Sequence, residues 1–272
     1  MAAAIDYEVE YNNRARVPEN PAIMAGWARD AAAYRERHAP RAIAYGPGAR
    51  NTIDFFAGDN DGPIVVFIHG GYWQAFDGSS FSHLAGGLNA HGISVAIPSY
   101  ALCPNVSVDE IIWQMRAASR ELARLGRPLV ISGHSAGGHL AACMLATDWP
   151  QFDPSLPRDL VVAAYAISGL FDLVPLVETS INRALCLDPA AARAASPLLW
   201  TAPARGSIDA VVGENESAEY FRQSKTIVDT WGAAGLATRF GVVAGANHFT
   251  AIAPLADPDS LMVARLKQLA AG

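Results

Sequence analysis

Cysteine is scarce: the chain holds three, Cys103, Cys143 and Cys186, in 272 residues. An odd number of widely spaced thiols excludes a disulfide framework, and no pair has the spacing that holds zinc. They read as reduced, buried, inert thiols. Positive charge is also in short supply, with 20 Lys and Arg against 26 Asp and Glu and a formal net charge of −6 at pH 7. Without a basic run there is no electrostatic footprint for nucleic acid or an anionic membrane surface. Long apolar runs are missing too. The longest uncharged apolar stretch, Leu160 to Phe171, falls well short of the roughly 20 residues that span a bilayer as a helix. The first ten residues are acidic and polar, unlike the basic start and apolar core of a secretory leader. These absences favour a cytoplasmic protein whose partner is a small-molecule substrate; a homodimer is compatible with them. No repeat or low-complexity linker interrupts the chain.

What is present is a core. Hydrophobic residues make up 51% of the sequence, enough for a single α/β domain over residues 1–272. Residues 1–40 read as a helical segment, with Ile23, Met24, Trp27, Ala31 and Tyr34 at helix-like intervals between Asn20-Pro21 and Pro40. The segment could lie over a pocket as a lid or simply pack on a sheet. Arg41 to Tyr45 and Thr52 to Phe56, separated by Gly46-Pro47-Gly48, suggest a leading hairpin. Strands are then expected at Ile64 to Ile68, Ile93 to Ile97, Leu129 to Ser132, Leu160 to Ile167, Ile208 to Val212 and Arg239 to Val243. Helices are expected between them, at Ser80 to Ala90, along the face Val108, Ile111, Ile112, Met115 and Leu122, near Ser217 to Ala233, and at Asp259 to Ala270. Such alternation implies a mostly parallel sheet covered on both faces, with its ligand site at the carboxyl ends of the strands.

Several chemistry-bearing residues fall at such ends. Leu129 to Leu140 reads LVISGHSAGGHL, a strand, a sharp turn with Ser135 at its apex, and a helix: the nucleophile-elbow context of an α/β-hydrolase. A serine that merely caps a helix would explain Ser135 but neither flanking glycine. The apolar run Ile64 to Ile68 ends in His69-Gly70-Gly71-Tyr72-Trp73. The bare Gly70 and Gly71 amides, with the Ala136 amide just after the serine, would form an oxyanion hole, and His69 would fix that loop. Glu214 and Glu216 close the strand Ile208 to Val212, and either could orient a general base. His248, in the loop after the last strand, is that base. The order serine, acid, histidine is the one expected of this fold. His134 and His139 flank the serine in sequence but are expected to point elsewhere. Tyr72, Trp73, Phe76 and Tyr100 suggest an aromatic pocket, with Phe171 and Asp172 as its neighbours.

Three segments carry a resemblance. His69-Gly70-Gly71-Tyr72-Trp73-Gln74, Gly133-His134-Ser135-Ala136-Gly137-Gly138-His139-Leu140 and Glu216-Ser217-Ala218-Glu219-Tyr220-Phe221-Arg222-Gln223-Ser224 together resemble the kynurenine formamidase (arylformamidase) family of α/β-hydrolases, related to the esterase and lipase group. The similarity runs from about Tyr11 to the end. In that family the catalytic acid immediately precedes a Ser-Pro-Glu-Phe type stretch, which matches Ser217-Ala218-Glu219-Tyr220 and so selects Glu216 over Glu214. This chain has glutamate where aspartate is common. The resemblance implies hydrolysis of N-formyl-L-kynurenine to kynurenine and formate with no metal or other cofactor. The His-rich signature of the unrelated metal-dependent formamidases is absent. A carboxylesterase acting on short acyl esters, or on other small amides and carbamates, would use the same residues. A hydrolase-like binding protein that has lost catalysis would not need serine, acid and histidine together.

Overall fold

The computed structural model describes residues 5–271, and its spine is an eight-stranded sheet. The strands are β1 (Arg41–Ala44), β2 (Thr52–Phe56), β3 (Ile64–Ile68), β4 (Val95–Pro98), β5 (Leu129–His134), β6 (Val161–Ile167), β7 (Ser207–Gly213) and β8 (Ala237–Val243). They lie side by side in the order β1-β2-β4-β3-β5-β6-β7-β8. β1 pairs with β2, and β2 with β4, antiparallel; every later pairing is parallel. This is the α/β-hydrolase arrangement expected from the sequence. β3, β4 and β5 are buried along their whole length, as unbroken apolar runs must be when both faces of a sheet are covered.

Five α-helices of ten residues or more occur among the described residues: α1 (Asn20–Arg37), α2 (Val108–Ala123), α3 (Ala136–Leu145), α4 (Ala218–Ala233) and α5 (Leu261–Ala271). Side-chain alternation along β3 divides the core. Ile64, Val66 and Ile68 join residues of α2, α3 and α4 on one face, while Val65 and Phe67 join Trp27 and Tyr34 of α1 and Val263 and Leu266 of α5 on the other. Every residue of α3 is buried, so its apolar character all round is that of a helix enclosed in a core. α2 starts with a capping box between Ser107 and Glu110.

The structure refines some sequence expectations and corrects others. The N-terminal segment is three helical pieces, Tyr7–Tyr11, Asn13–Arg16 and α1. Its second break, at Val17, precedes Pro18, which disfavours helical dihedrals in the residue before it. Residues 1–4 of that segment lie outside the described residues. The helix expected over Ser80 to Ala90 is a 3-10 segment, Gly78–Ala85, followed by one turn at Gly86–Asn89. Gly86 and Gly87 are poor helix formers, and a Cβ on Gly87 would stand 2.3 Å from the Leu255 carbonyl oxygen. Cys103 and Cys143 are buried, but Cys186 is exposed. It ends a short surface helix in the left-handed conformation, φ 52°. Among the described residues no helix is long and apolar enough to cross a membrane.

Candidate active site

β5 delivers the chain to Ser135 and α3 carries it away. Ser135 sits at φ 55° and ψ −117°, a left-handed conformation that a non-glycine residue keeps only when its surroundings enforce it. Its amide donates to the Ile167 carbonyl of β6 at 2.8 Å, and its side chain makes no helix cap bond. The flanking glycines are sterically required. A Cβ on Gly133 would lie 2.2 Å from the Gly137 carbonyl oxygen, and one on Gly137 would lie 1.9 Å from that of Ile68.

The turn after β7 separates its two carboxylates. Glu216 Oε1 accepts from the Gly213 amide at 2.7 Å and from the Ser168 hydroxyl. Its Oε2 accepts from His248 Nδ1 at 2.6 Å, with both side chains almost sealed from solvent. Glu214 is exposed and accepts from the Gly245 amide at 2.7 Å. A neutral imidazole donating from Nδ1 leaves Nε2 as a proton acceptor. Behind it, His134 Nε2 donates to the His248 carbonyl at 2.8 Å; burial holds His134 well below the usual histidine range, so its ring is neutral. Among the described residues no hydrogen bond joins Ser135 Oγ to the His248 ring, although both line one cavity. Such bonds commonly tighten only when substrate arrives.

The loop after β3 runs alongside the serine. A Cβ on Gly70 would lie 2.8 Å from the His134 carbonyl oxygen and 3.0 Å from Ser135 Cβ. Gly71 (φ 101°), Tyr72 (49°), Trp73 (56°) and Phe76 (71°) are all left-handed. His69 braces this loop: its ring stacks on Tyr100 at 4.2 Å, and Nδ1 donates to the Gly70 carbonyl at 2.8 Å. Burial depresses His69 to about 4, which makes it a neutral scaffold group rather than an acid or base near neutral pH. Ala136 is fully buried, so only its backbone can serve the site. As the first residue of α3, it has an amide with no acceptor inside the helix.

These elements enclose a cavity of about 460 Å³ lined by Ser135, His248, Gly70 and Gly71, by the aromatic rings of Trp27, Tyr72, Phe76, Phe81 and Phe249, and by residues of the N-terminal segment. Among the described residues no group of three or more His, Cys, Asp or Glu side chains is placed to hold a metal ion.

The protein "Kynurenine formamidase" of Danio rerio is 30% identical to this chain over 239 residues, covering 84% of this chain and 80% of that protein. Its namesake in Drosophila melanogaster is 31% identical over 235 residues, 80% and 77% of the two chains. The chain belongs to the kynurenine formamidase family. It is thus a hydrolase. No family model matches it. A solved structure from Silicibacter sp. TM1040, provisionally described as a thioesterase, superposes with a TM-score of 0.86 at 36% identity, covering 96% of this chain and 98% of that one.

Set within this kynurenine formamidase family fold, the pocket differs from the sequence expectation. Tyr72 and Phe76 line the cavity, but Trp73 and Tyr100 do not. Trp73 is fully buried with its ring edge-on to His139 at 5.0 Å. The Tyr100 hydroxyl donates to the His69 carbonyl at 2.9 Å, so both residues support the loop from beneath. Phe171 and Asp172 are also absent from the lining: Phe171 is fully buried, and Asp172 pairs with Arg222 at 3.7 Å. His139 points away, donating from Nε2 to the Ala195 carbonyl at 2.7 Å. Of the two placements open for the N-terminal segment, over a pocket or on the sheet, the structure puts Glu8, residues 11–14, Met24 and Trp27 in the cavity wall; which polar groups anchor it there was not read from the sequence. Asn13 Nδ2 donates to the Tyr220 hydroxyl at 2.8 Å, and the Tyr72 hydroxyl donates to the Tyr11 carbonyl at 2.6 Å. The Tyr72 and Tyr220 hydroxyls are 2.7 Å apart, and the Tyr220 ring lies 4.6 Å from that of His248. Met24 and Trp27, both on the helical face read from the sequence, line this wall.

Proposed function

We propose that the chain cleaves a small N-formyl arylamide, N-formyl-L-kynurenine to kynurenine and formate, through an acyl-enzyme on Ser135. Ser135 Oγ attacks the formyl carbon as His248 Nε2 takes its proton. The oxyanion is met by the amides of Gly70, Gly71 and Ala136. Collapse breaks the C–N bond, and His248 returns the proton to the departing arylamine. Water, deprotonated by His248, then attacks the formyl-serine; the Ser135 Oγ–carbon bond breaks, His248 returns the proton to Ser135 Oγ, and formate is released. Glu216 holds the imidazole in the tautomer this requires and stabilises the imidazolium.

The observation carrying this reading is the Glu216–His248 bond at 2.6 Å, made at the wall of the cavity that also receives the strained Ser135 turn. The substrate reading is supported by the family and by the aromatic lining, which suits an aryl leaving group. A panel of N-formyl, N-acetyl and N-butyryl arylamides beside short p-nitrophenyl esters and carbamates tests it. Formyl should exceed acetyl and acetyl exceed butyryl, and formyl-kynurenine should have a higher kcat/KM than any alkyl ester. Inert formyl-kynurenine with preferred butyryl esters would replace this reading by a carboxylesterase using the same residues.

A further inference from the structure

Apart from the histidines, the cavity wall contains, among the described residues, only two side chains of fixed charge, Glu8 and Arg14, and both come from the N-terminal segment. Glu8 is held in place: its Oε2 accepts from the Ser180 amide at 2.6 Å and its Oε1 from the Ser180 hydroxyl at 2.7 Å. These bonds keep the carboxyl below the usual carboxylate range. A carboxylate offers about four lone-pair sites, so acceptor positions remain for a ligand. Arg14 is fixed through its backbone: its carbonyl accepts from Asn20 Nδ2 at 3.1 Å, and the adjacent Asn13 is bonded to Tyr220. Its guanidinium enters none of the ion pairs among the described residues.

The cavity therefore has three chemically distinct parts: the Ser135 and His248 side, an aromatic wall around Trp27, Phe76, Phe81 and Phe249, and an N-terminal wall with one cation and one anion. We propose that Arg14 and Glu8 form a subsite for an α-amino acid zwitterion, with Arg14 taking the carboxylate and Glu8 the ammonium of an N-formyl arylamine that carries an amino-acid side chain. The inference rests on the formamidase reading above and adds the group that recognises the far end of the substrate. Arginine suits the task because its planar fork can meet a carboxylate through two parallel hydrogen bonds. Glu8 supplies the opposite sign, which an uncharged or purely anionic leaving group would not use.

The test compares four substrates on the full chain: N-formyl-kynurenine, its decarboxylated analogue, its deaminated analogue, and uncharged 2-formamidoacetophenone. In R14Q, the kcat/KM ratio of carboxylate-bearing to carboxylate-lacking substrates should fall about tenfold or more, mainly through KM. R14K should recover part of that loss. In E8Q, whose amide oxygen can still accept from Ser180, the preference for ammonium-bearing substrates should fall instead. Equal losses on all four substrates, or no change in either ratio, would overturn the subsite while leaving the formamidase reading intact. A wild-type protein that cleaves esters but leaves both N-formyl-kynurenine and 2-formamidoacetophenone untouched would overturn that reading, and the subsite with it.

Discussion

Glu216 Oε2 and His248 Nδ1 are 2.6 Å apart, and the other oxygen of the same carboxylate is already occupied by the Gly213 amide and the Ser168 hydroxyl. Three hydrogen bonds thus hold Glu216, two on one oxygen and one on the other, out of about four acceptor sites, and the carboxylate has little freedom to turn away from the imidazole. Glu214, two residues earlier, only braces the Gly245 turn from the surface.

Glu216→Gln should therefore lower kcat by on the order of 10³ or more, because an amide nitrogen facing Nδ1 would favour the wrong tautomer. Glu214→Gln should leave kcat within about twofold and cost less than about 1 kcal/mol of stability, as surface changes usually do. Steady-state kinetics and thermal unfolding of the pair decide the matter, and a larger kinetic loss at Glu214 would reverse the assignment.

At Ser135 the strained turn and the hydroxyl separate cleanly. Ser135→Ala and Ser135→Gly should both lose a thousandfold or more in turnover, of the order seen when such nucleophiles are removed. Only the glycine variant relieves the φ 55° backbone, so it should be the more stable of the two by about 1 kcal/mol. Equal unfolding midpoints would show that the turn stores no strain.

The candidate site residues were picked out because each stands where a strand ends, and a strand end can be read from an apolar run meeting glycines. β3 before Gly70, β5 before Ser135 and β7 before Glu216 are all of this kind. The pocket was legible only in part, through Tyr72 and Phe76, for two physical reasons. Tyr72, Trp73 and Phe76 have positive φ, so the regular alternation that would tell which side each ring faces is broken, and Trp73 turns inward while Tyr72 and Phe76 face the cavity. The second reason is distance along the chain: Asn13 meets Tyr220 across 207 positions, and local patterning contains no trace of that contact. The expected helix over residues 80–90 failed where Gly87 has to pass close to Leu255, again a tertiary requirement.

The glycines of the elbow allow a steric prediction. Gly137→Ala places a Cβ 1.9 Å from the Ile68 carbonyl oxygen, backbone against backbone, whereas at Gly126, φ 70°, a Cβ meets nothing within 4 Å. Gly126→Ala should cost only the left-handed penalty of about 1 to 2 kcal/mol. Gly137→Ala should exceed about 4 kcal/mol, the range reserved for strained cores, and yield little folded protein. Comparable unfolding midpoints for the two variants would contradict the close packing of β3 on α3.

Acid should destabilise the fold through its buried histidines before most carboxylates titrate. Burial lowers His69 and His139 to about 4 and His134 well below 6.5, so the native chain stays unprotonated at these rings while the unfolded chain takes up protons below its ordinary pKa of about 6.5. A depressed folded-state pKa means the stabilisation is fully present above about pH 6.5 and is lost as pH falls toward 4. Each such ring adds up to about 1.4 kcal/mol of lost stability per pH unit in that window. The thermal midpoint should accordingly decline from pH 6.5 to 5. His139→Gln, which can still donate to the Ala195 carbonyl, should show a lower midpoint at pH 7.5 but a shallower decline below 6.5. An unchanged slope in that variant would mean that His139 is not the neutral, buried ring described above.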